Sequence, residues 1–204
     1  MKLYYTPGAC SLAVHIALRM ADQKFELERV DPATKTTETG ADFRAVNPRG
    51  YVPALTLDGG DTITEAPAVL QYVADRAPDA ALAPAPTTLA RTRLQEVLNF
   101  IASELHKSFK PFFSGTPLSD ADRPAAEEVV ANRMRFVEAM LADGRRHLIG
   151  DTVSVADLYL FTIANWCNFV GIDLGRWPNL KAFVARIGAL PAAREAMAAE
   201  GLTG

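Results

Sequence analysis

The sequence predicts an α/β domain followed by an all-helical domain, and three observations carry that prediction. Strand-like alternation and a hairpin signal occur only within residues 1–80. A Pro- and Ala-rich stretch almost without charge, PDAALAPAPTT, then ends at Thr88, the composition of an ordered linker. Beyond it the apolar residues recur with helical period and no strand signal competes. The expected organisation is therefore an α/β domain over 1–80, a linker over 81–87 and a helical domain over 88–204.

Lys2 to Tyr5 reads as a short strand and Thr6-Pro7-Gly8-Ala9 as a turn. From Cys10 to Met20, Leu12, Ile16 and Met20 share one helical face, and Phe25 to Val30 alternates apolar with charged residues. The sum is a β-α-β unit with parallel strands. A short helix is expected near Ala41 to Val46, and Asn47-Pro-Arg-Gly-Tyr-Val-Pro53, with two prolines and a glycine, must be a structured loop. Ala54 to Leu57 and Thr62 to Thr64 flank the hairpin signal Asp58-Gly59-Gly60-Asp61. Glu65 to Arg76 is helical, with Pro67 in the tolerated first turn. Past the linker, Leu94, Val97, Leu98, Ile101, Leu105 and Phe109 form the stripe of one helix over 89–112, and a second long helix spans Pro124 to Ala142. Ser154 followed by Asp157 is a near capping box that starts a buried helix, and Pro178 and Pro191 punctuate two more.

Composition excludes several classes. With 49% hydrophobic and 22% charged residues over 204 positions the chain is globular. Twenty-one basic against 24 acidic residues give a net charge of −3 with no basic run, so no nucleic-acid partner is expected. The most apolar region, Val155 to Leu174, is interrupted by Asp157, Asn165, Asn168 and Asp173, which argues for a buried helix and against a membrane partner. MKLYYTPGACSL lacks the apolar run of a signal peptide, so a cytoplasmic location is expected. Cys10 and Cys167 with three scattered histidines show no metal-site spacing, and no metal is expected.

Two residues invite chemistry. Cys10 opens a helix, where free N–H groups and the macrodipole favour a thiolate, so a lowered pKa is expected; the alternative is an inert, packed cysteine. Cys10-Ser-Leu-Ala13 has no second thiol, which limits any redox chemistry to a mixed disulfide with an external thiol. His106 lies beside the apolar stripe, on a polar face with Asn99, Ser103 and Lys110, although a lone histidine is often only a packing residue. His15 and His147 have no evident partners, and Cys167 between Trp166 and Phe169 reads as core.

With β-α-β and β-β-α units, a Val-Pro before the hairpin and a helical second domain, the chain resembles a glutathione transferase. MKLYYTPGACSL, NPRGYVPAL, LNFIASELHK and SVADLYLF, in that order, resemble the bacterial beta class. The resemblance implies a thioredoxin-like N-terminal domain, glutathione as co-substrate and a homodimer. It implies catalytic roles for Cys10 and His106, the latter bordering the thiol of bound glutathione. It implies that Val52 and a cis Pro53 pair with the peptide backbone of glutathione, that Glu65 and Ala66 take its γ-glutamyl end, and that Lys35, Lys107 and Asn99 contact it elsewhere. Ala66 stands where many members carry Ser or Thr, leaving only its N–H as donor. Tyr5, Ser11 and Ser103 are secondary candidates. The activity implied is conjugation of reduced glutathione to a hydrophobic electrophile resting on side chains such as Phe109, Phe112, Phe113 and Trp166. The alternatives are monothiol disulfide exchange through Cys10 and ligand carriage without turnover. His106 is expected to titrate near or below neutral pH.

Overall fold

The computed structural model describes residues 1–202. The chain forms two compact units, one comprising Met1–Pro84 together with the stretch from Ala189 onward, the other Ala85–Gly188.

In the first unit β1 (Lys2–Tyr5), β2 (Glu26–Arg29), β3 (Ala54–Thr56) and β4 (Thr62–Thr64) make one sheet in the order β2-β1-β3-β4. The β1–β2 pair is parallel and the β1–β3 and β3–β4 pairs are antiparallel. Parallel pairing demands a crossover, supplied here by α1 (Ser11–Met20). Its apolar stripe buries Leu12, Ile16 and Leu18, while Leu3 and Leu55 supply the sheet side of the core. α2 (Ala66–Arg76) follows β4 and packs on α1. The helix expected near Ala41 to Val46 is a single 3-10 turn, Phe43–Ala45, capped by Asp42.

The second unit contains α3 (Leu89–Phe100), α4 (His106–Ser108), α5 (Arg123–Leu141), α6 (Val155–Val170) and α7 (Pro178–Gly188). The single helix expected over 89–112 is interrupted. A π turn, Ile101–Leu105, separates α3 from α4, and a 3-10 turn, Lys110–Phe113, follows Phe109. Ile101 and Leu105 are still buried, because the wider turn shifts the helical register without withdrawing the apolar stripe.

α8 (Pro191–Ala199) corrects the expected 88–204 helical domain. It buries Ala193 and Ala196 and packs on α1, within the first unit. Its amphipathic period reveals a buried face but not which element covers it.

Ser154 and Asp157 set the start of α6 as the sequence predicts. Asp157, fully buried, accepts hydrogen bonds from the Ser154 N–H (2.7 Å), the Ser154 hydroxyl (2.7 Å) and the Leu148 N–H (2.8 Å). Ser154→Ala removes one of these three and is expected to cost about 1 kcal/mol in urea unfolding. No loss would show that the two backbone donors suffice.

Candidate active site

In the first unit the turn Thr6–Ala9 delivers Cys10 to the N-cap of α1. Ser11 is fully buried, and its hydroxyl hydrogen-bonds both the N–H and the carbonyl of Thr6 at 3.3 Å, which ties it to the turn. The Cys10 thiol donates to the Val52 carbonyl at 3.4 Å and is nearly enclosed. Burial pushes it up to about 12, and the nearby Glu65 carboxylate adds to the rise. The expected lowered pKa is therefore corrected. The dipole favours a thiolate, but lost hydration and an acceptor for the S–H favour the thiol more strongly. Tyr5 is buried in β1, and its phenol is raised mainly by the same loss of solvent.

The loop from Asn47 to Pro53 passes over this thiol. Asn47, 4% exposed, donates from its side-chain amide to the Tyr51 carbonyl at 2.6 Å and accepts the Arg49 N–H at 3.2 Å. Gly50, with φ +66°, turns the chain between them. The Val52–Pro53 peptide is cis, as the resemblance implies. Lys35, half-buried at φ +63°, has its ammonium 5.8 Å from the Tyr51 ring centroid. Glu65, at φ +68°, caps α2, and its carboxylate meets the Arg49 guanidinium at 2.9 Å. Ala66 begins the helix and is buried. Two non-glycine residues at positive φ, Lys35 and Glu65, thus meet the loop that covers the thiol, strain of a kind that clusters at binding sites. The structure therefore brings together Cys10, Lys35, Val52, Pro53, Glu65 and Ala66 within the first unit.

The remaining candidates belong to the second unit. His106 follows the π turn; its Nδ1 lies 3.0 Å from the Tyr159 hydroxyl, and its ring meets the Trp166 ring edge-on at 4.8 Å. Burial pulls the imidazole down to about 4, with Lys107 adding a smaller push in the same direction. The imidazole is thus uncharged near neutral pH, and of the expected range, near or below neutral, only the lower part applies. Asn99, Ser103 and Lys107 are exposed, and the Ser103 hydroxyl donates to the Asn99 carbonyl at 2.9 Å. Phe109, Phe112, Phe113 and Trp166 form one aromatic cluster: Trp166 is 5.5 Å from Phe109 and 5.1 Å from Phe113, of which Phe113 remains 51% exposed. Among the described residues no group of three His, Cys, Asp or Glu side chains is placed to hold a metal, and no helix is long and apolar enough to cross a membrane.

Comparison with known proteins decides the family. Residues 8–76 match the glutathione S-transferase N-terminal domain and residues 88–191 the C-terminal domain. The chain is 41% identical to the glutathione S-transferase GstA of Escherichia coli O157:H7, over 99% of this chain and 100% of that one. The chain belongs to the glutathione S-transferase family. The bacterial beta class transferase of Sphingomonas chungbukensis superposes with a TM-score of 0.95 at 50% identity, covering 100% of both chains. A sphingomonad glutathione S-transferase complexed with glutathione superposes at 0.93 with 49% identity, again over 100% of both. The transferase fold assigned from the motifs, a thioredoxin-like domain and a helical domain, is thus the fold observed.

Within this transferase, sequence reasoning missed two site neighbours and one support. Tyr159 gives no local signal, since only folding sets it against His106. Arg49 lay in view within NPRGYVPAL but was assigned to the loop alone. The support is a buried chain of polar groups. His15, against expectation, is fully partnered: its Nδ1 meets Glu200 Oε1 at 2.9 Å and its Nε2 accepts from Arg19 Nε at 2.9 Å. Because Arg19 can only donate, the ring carries its hydrogen on Nδ1 and donates it to Glu200. The other Glu200 oxygen accepts the Gly8 N–H at 2.9 Å, in the turn that leads to Cys10. His147 Nδ1, by contrast, is buried with no partner among the described residues. Cys167 is core, as its sequence neighbours suggest.

Proposed function

We propose that this chain is a cytoplasmic, homodimeric, detoxifying glutathione transferase that joins the sulfur of reduced glutathione to hydrophobic electrophiles. The observation that carries this reading is the set of polar groups around one enclosed thiol in the first unit: the Val52 backbone beside Cys10, Glu65 at the cap of α2, and Lys35 held against the same loop. They match the chemistry of the tripeptide. Val52 and Pro53 meet the cysteinyl backbone, Glu65 and the Ala66 N–H take the γ-glutamyl end, and Lys35 takes the glycyl carboxylate. Asn99 and Lys107 are further glutathione contacts and Ser103 a secondary one, carried over from the resemblance.

The acid–base roles follow from burial. The Cys10 thiol remains protonated at neutral pH and acts as a hydrogen-bond donor. When a peptide N–H of glutathione takes the Val52 carbonyl, the S–H turns to the glutathione sulfur and stabilises its thiolate. His106, catalytic by the resemblance, is uncharged near neutral pH and can act there as a hydrogen-bonding group and not as a cation. With an aryl halide the thiolate attacks the ring carbon, a C–S bond forms, the carbon–halogen bond breaks, halide departs, and the former thiol proton passes to solvent. Exchange through Cys10 is less favoured, because it needs the thiolate that burial suppresses. The aromatic cluster around Trp166, with Phe113 open to solvent, is the apolar platform for the electrophile. Phe136, 63% exposed, pairs with Phe100 on the surface of the second unit and offers an apolar patch to a second copy. Two unpaired cysteines suit a reducing compartment.

The test is steady-state conjugation of an aryl halide with reduced glutathione. Saturation in glutathione is expected, and Glu65→Ala should raise the KM for glutathione about fivefold to tenfold, the upper scale of one solvent-exposed charge pair. Glutathione binding without product would favour a carrier.

A further inference from the structure

We propose that Arg49 is a glutathione-binding residue, forming with Glu65 a two-charge clamp for the zwitterionic γ-glutamyl terminus: Glu65 takes the α-ammonium and Arg49 the α-carboxylate. This rests on the glutathione reading above and adds a residue to it.

The argument begins with an ion pair that stability alone does not explain. Arg49 Nη1 and Glu65 Oε1 are 2.9 Å apart, with side chains 63% and 65% exposed. An exposed pair of this kind contributes about 0–1 kcal/mol, whereas a left-handed non-glycine backbone such as that of Glu65 costs about 1–3 kcal/mol. The pair therefore does not repay the conformation that presents it. Nor is the arginine loosely tethered. Buried Asn47 accepts the Arg49 N–H at 3.2 Å and the Gly50 N–H reaches the Asn47 carbonyl at 2.8 Å, which fixes the base of the side chain.

An α-amino-acid terminus carries an ammonium and a carboxylate on the same carbon, so its natural complement is one anion beside one cation. Glu65 engages Arg49 through one carboxylate oxygen, leaving the other for the ammonium, and the guanidinium has five N–H donors in a planar fork suited to a carboxylate. With the ligand seated, the four charges alternate in sign around a closed ring. The buried Ala66 that opens α2 adds no hydroxyl, so the guanidinium is the nearby side-chain donor for that carboxylate.

The test uses calorimetric binding to the full chain of three ligands: glutathione, an analogue whose γ-glutamyl α-carboxylate is replaced by hydrogen, and one whose α-amino group is replaced by hydrogen. Wild type should bind each analogue about fivefold to tenfold more weakly than glutathione. Arg49→Gln should weaken glutathione by a similar factor and bind the decarboxylated analogue within about twofold of glutathione, while still discriminating against the deaminated one. Glu65→Gln should do the reverse, and Arg49→Lys should restore part of the discrimination. Both side chains are exposed, so unchanged melting temperatures are expected to confirm folding. If Arg49→Gln keeps the full wild-type discrimination against the decarboxylated analogue, the clamp is overturned while glutathione binding stands. If wild type binds no glutathione, the functional reading falls and the clamp with it.

Discussion

Replacing Glu200 by alanine lowers the stability of the protein by about 3–5 kcal/mol, a large part of the margin of an ordinary domain. The carboxylate is fully buried and satisfies two buried donors, the His15 Nδ1–H and the Gly8 N–H. Truncation removes this acceptor from both, at a place where the Glu200 and His15 side chains are closed to solvent. At about 2–4 °C per kcal/mol for a chain of this size, the melting temperature should fall by roughly 10 °C. Glu200→Gln keeps one oxygen and should lose less than half as much. The damage should also reach the chemistry, because Gly8 lies in the turn that places Cys10. Alkylation of the Cys10 thiol is expected to accelerate in Glu200→Ala as the turn loosens. Equal stability of Glu200→Ala and wild type would mean that water replaces the carboxylate without cost.

His106 makes the protein acid-labile in a defined window. Its folded imidazole is held at about 4, against an ordinary value of 6.5 in the unfolded chain. The unfolded state therefore binds the proton first as pH falls. The stabilising preference for the uncharged ring is complete above about pH 6.5 and is lost progressively towards pH 4. At pH 4.5 the loss attributable to this one residue is about 2.5 kcal/mol. Urea unfolding of wild type and His106→Gln at pH 7 and pH 4.5 measures it, the variant being flatter by that amount. Parallel pH profiles would show that His106 gains its proton as easily in the fold as out of it. For the same reason His106 contributes no inflection to the conjugation rate between pH 6 and 8, so any inflection found there should survive in His106→Gln and be assigned to the glutathione thiol.

Every strand, the starts of most helices and the family are legible in the order of residues alone. These are local properties: alternation over Lys2 to Tyr5, glycines between β3 and β4, Ser154 with Asp157 at the head of α6, and the motif runs that carry the resemblance. That order also places Cys10, Val52, Pro53 and Glu65 at their turns and caps, because such positions are set by neighbours in the chain. How those groups behave depends on what folding packs around them. Cys10 sits at a helix start that favours the thiolate, yet Val52, 42 residues away, covers it and leaves the thiol. The charge state of His106 depends on Trp166 and Tyr159 closing over it, and its direction on a π turn that no propensity announces. Glu200 finds His15 across 185 residues, which makes the last helix part of the first unit. Desolvation and long-range pairing depend on which surfaces meet, and periodicity along the chain records that a face will be buried without recording what will bury it.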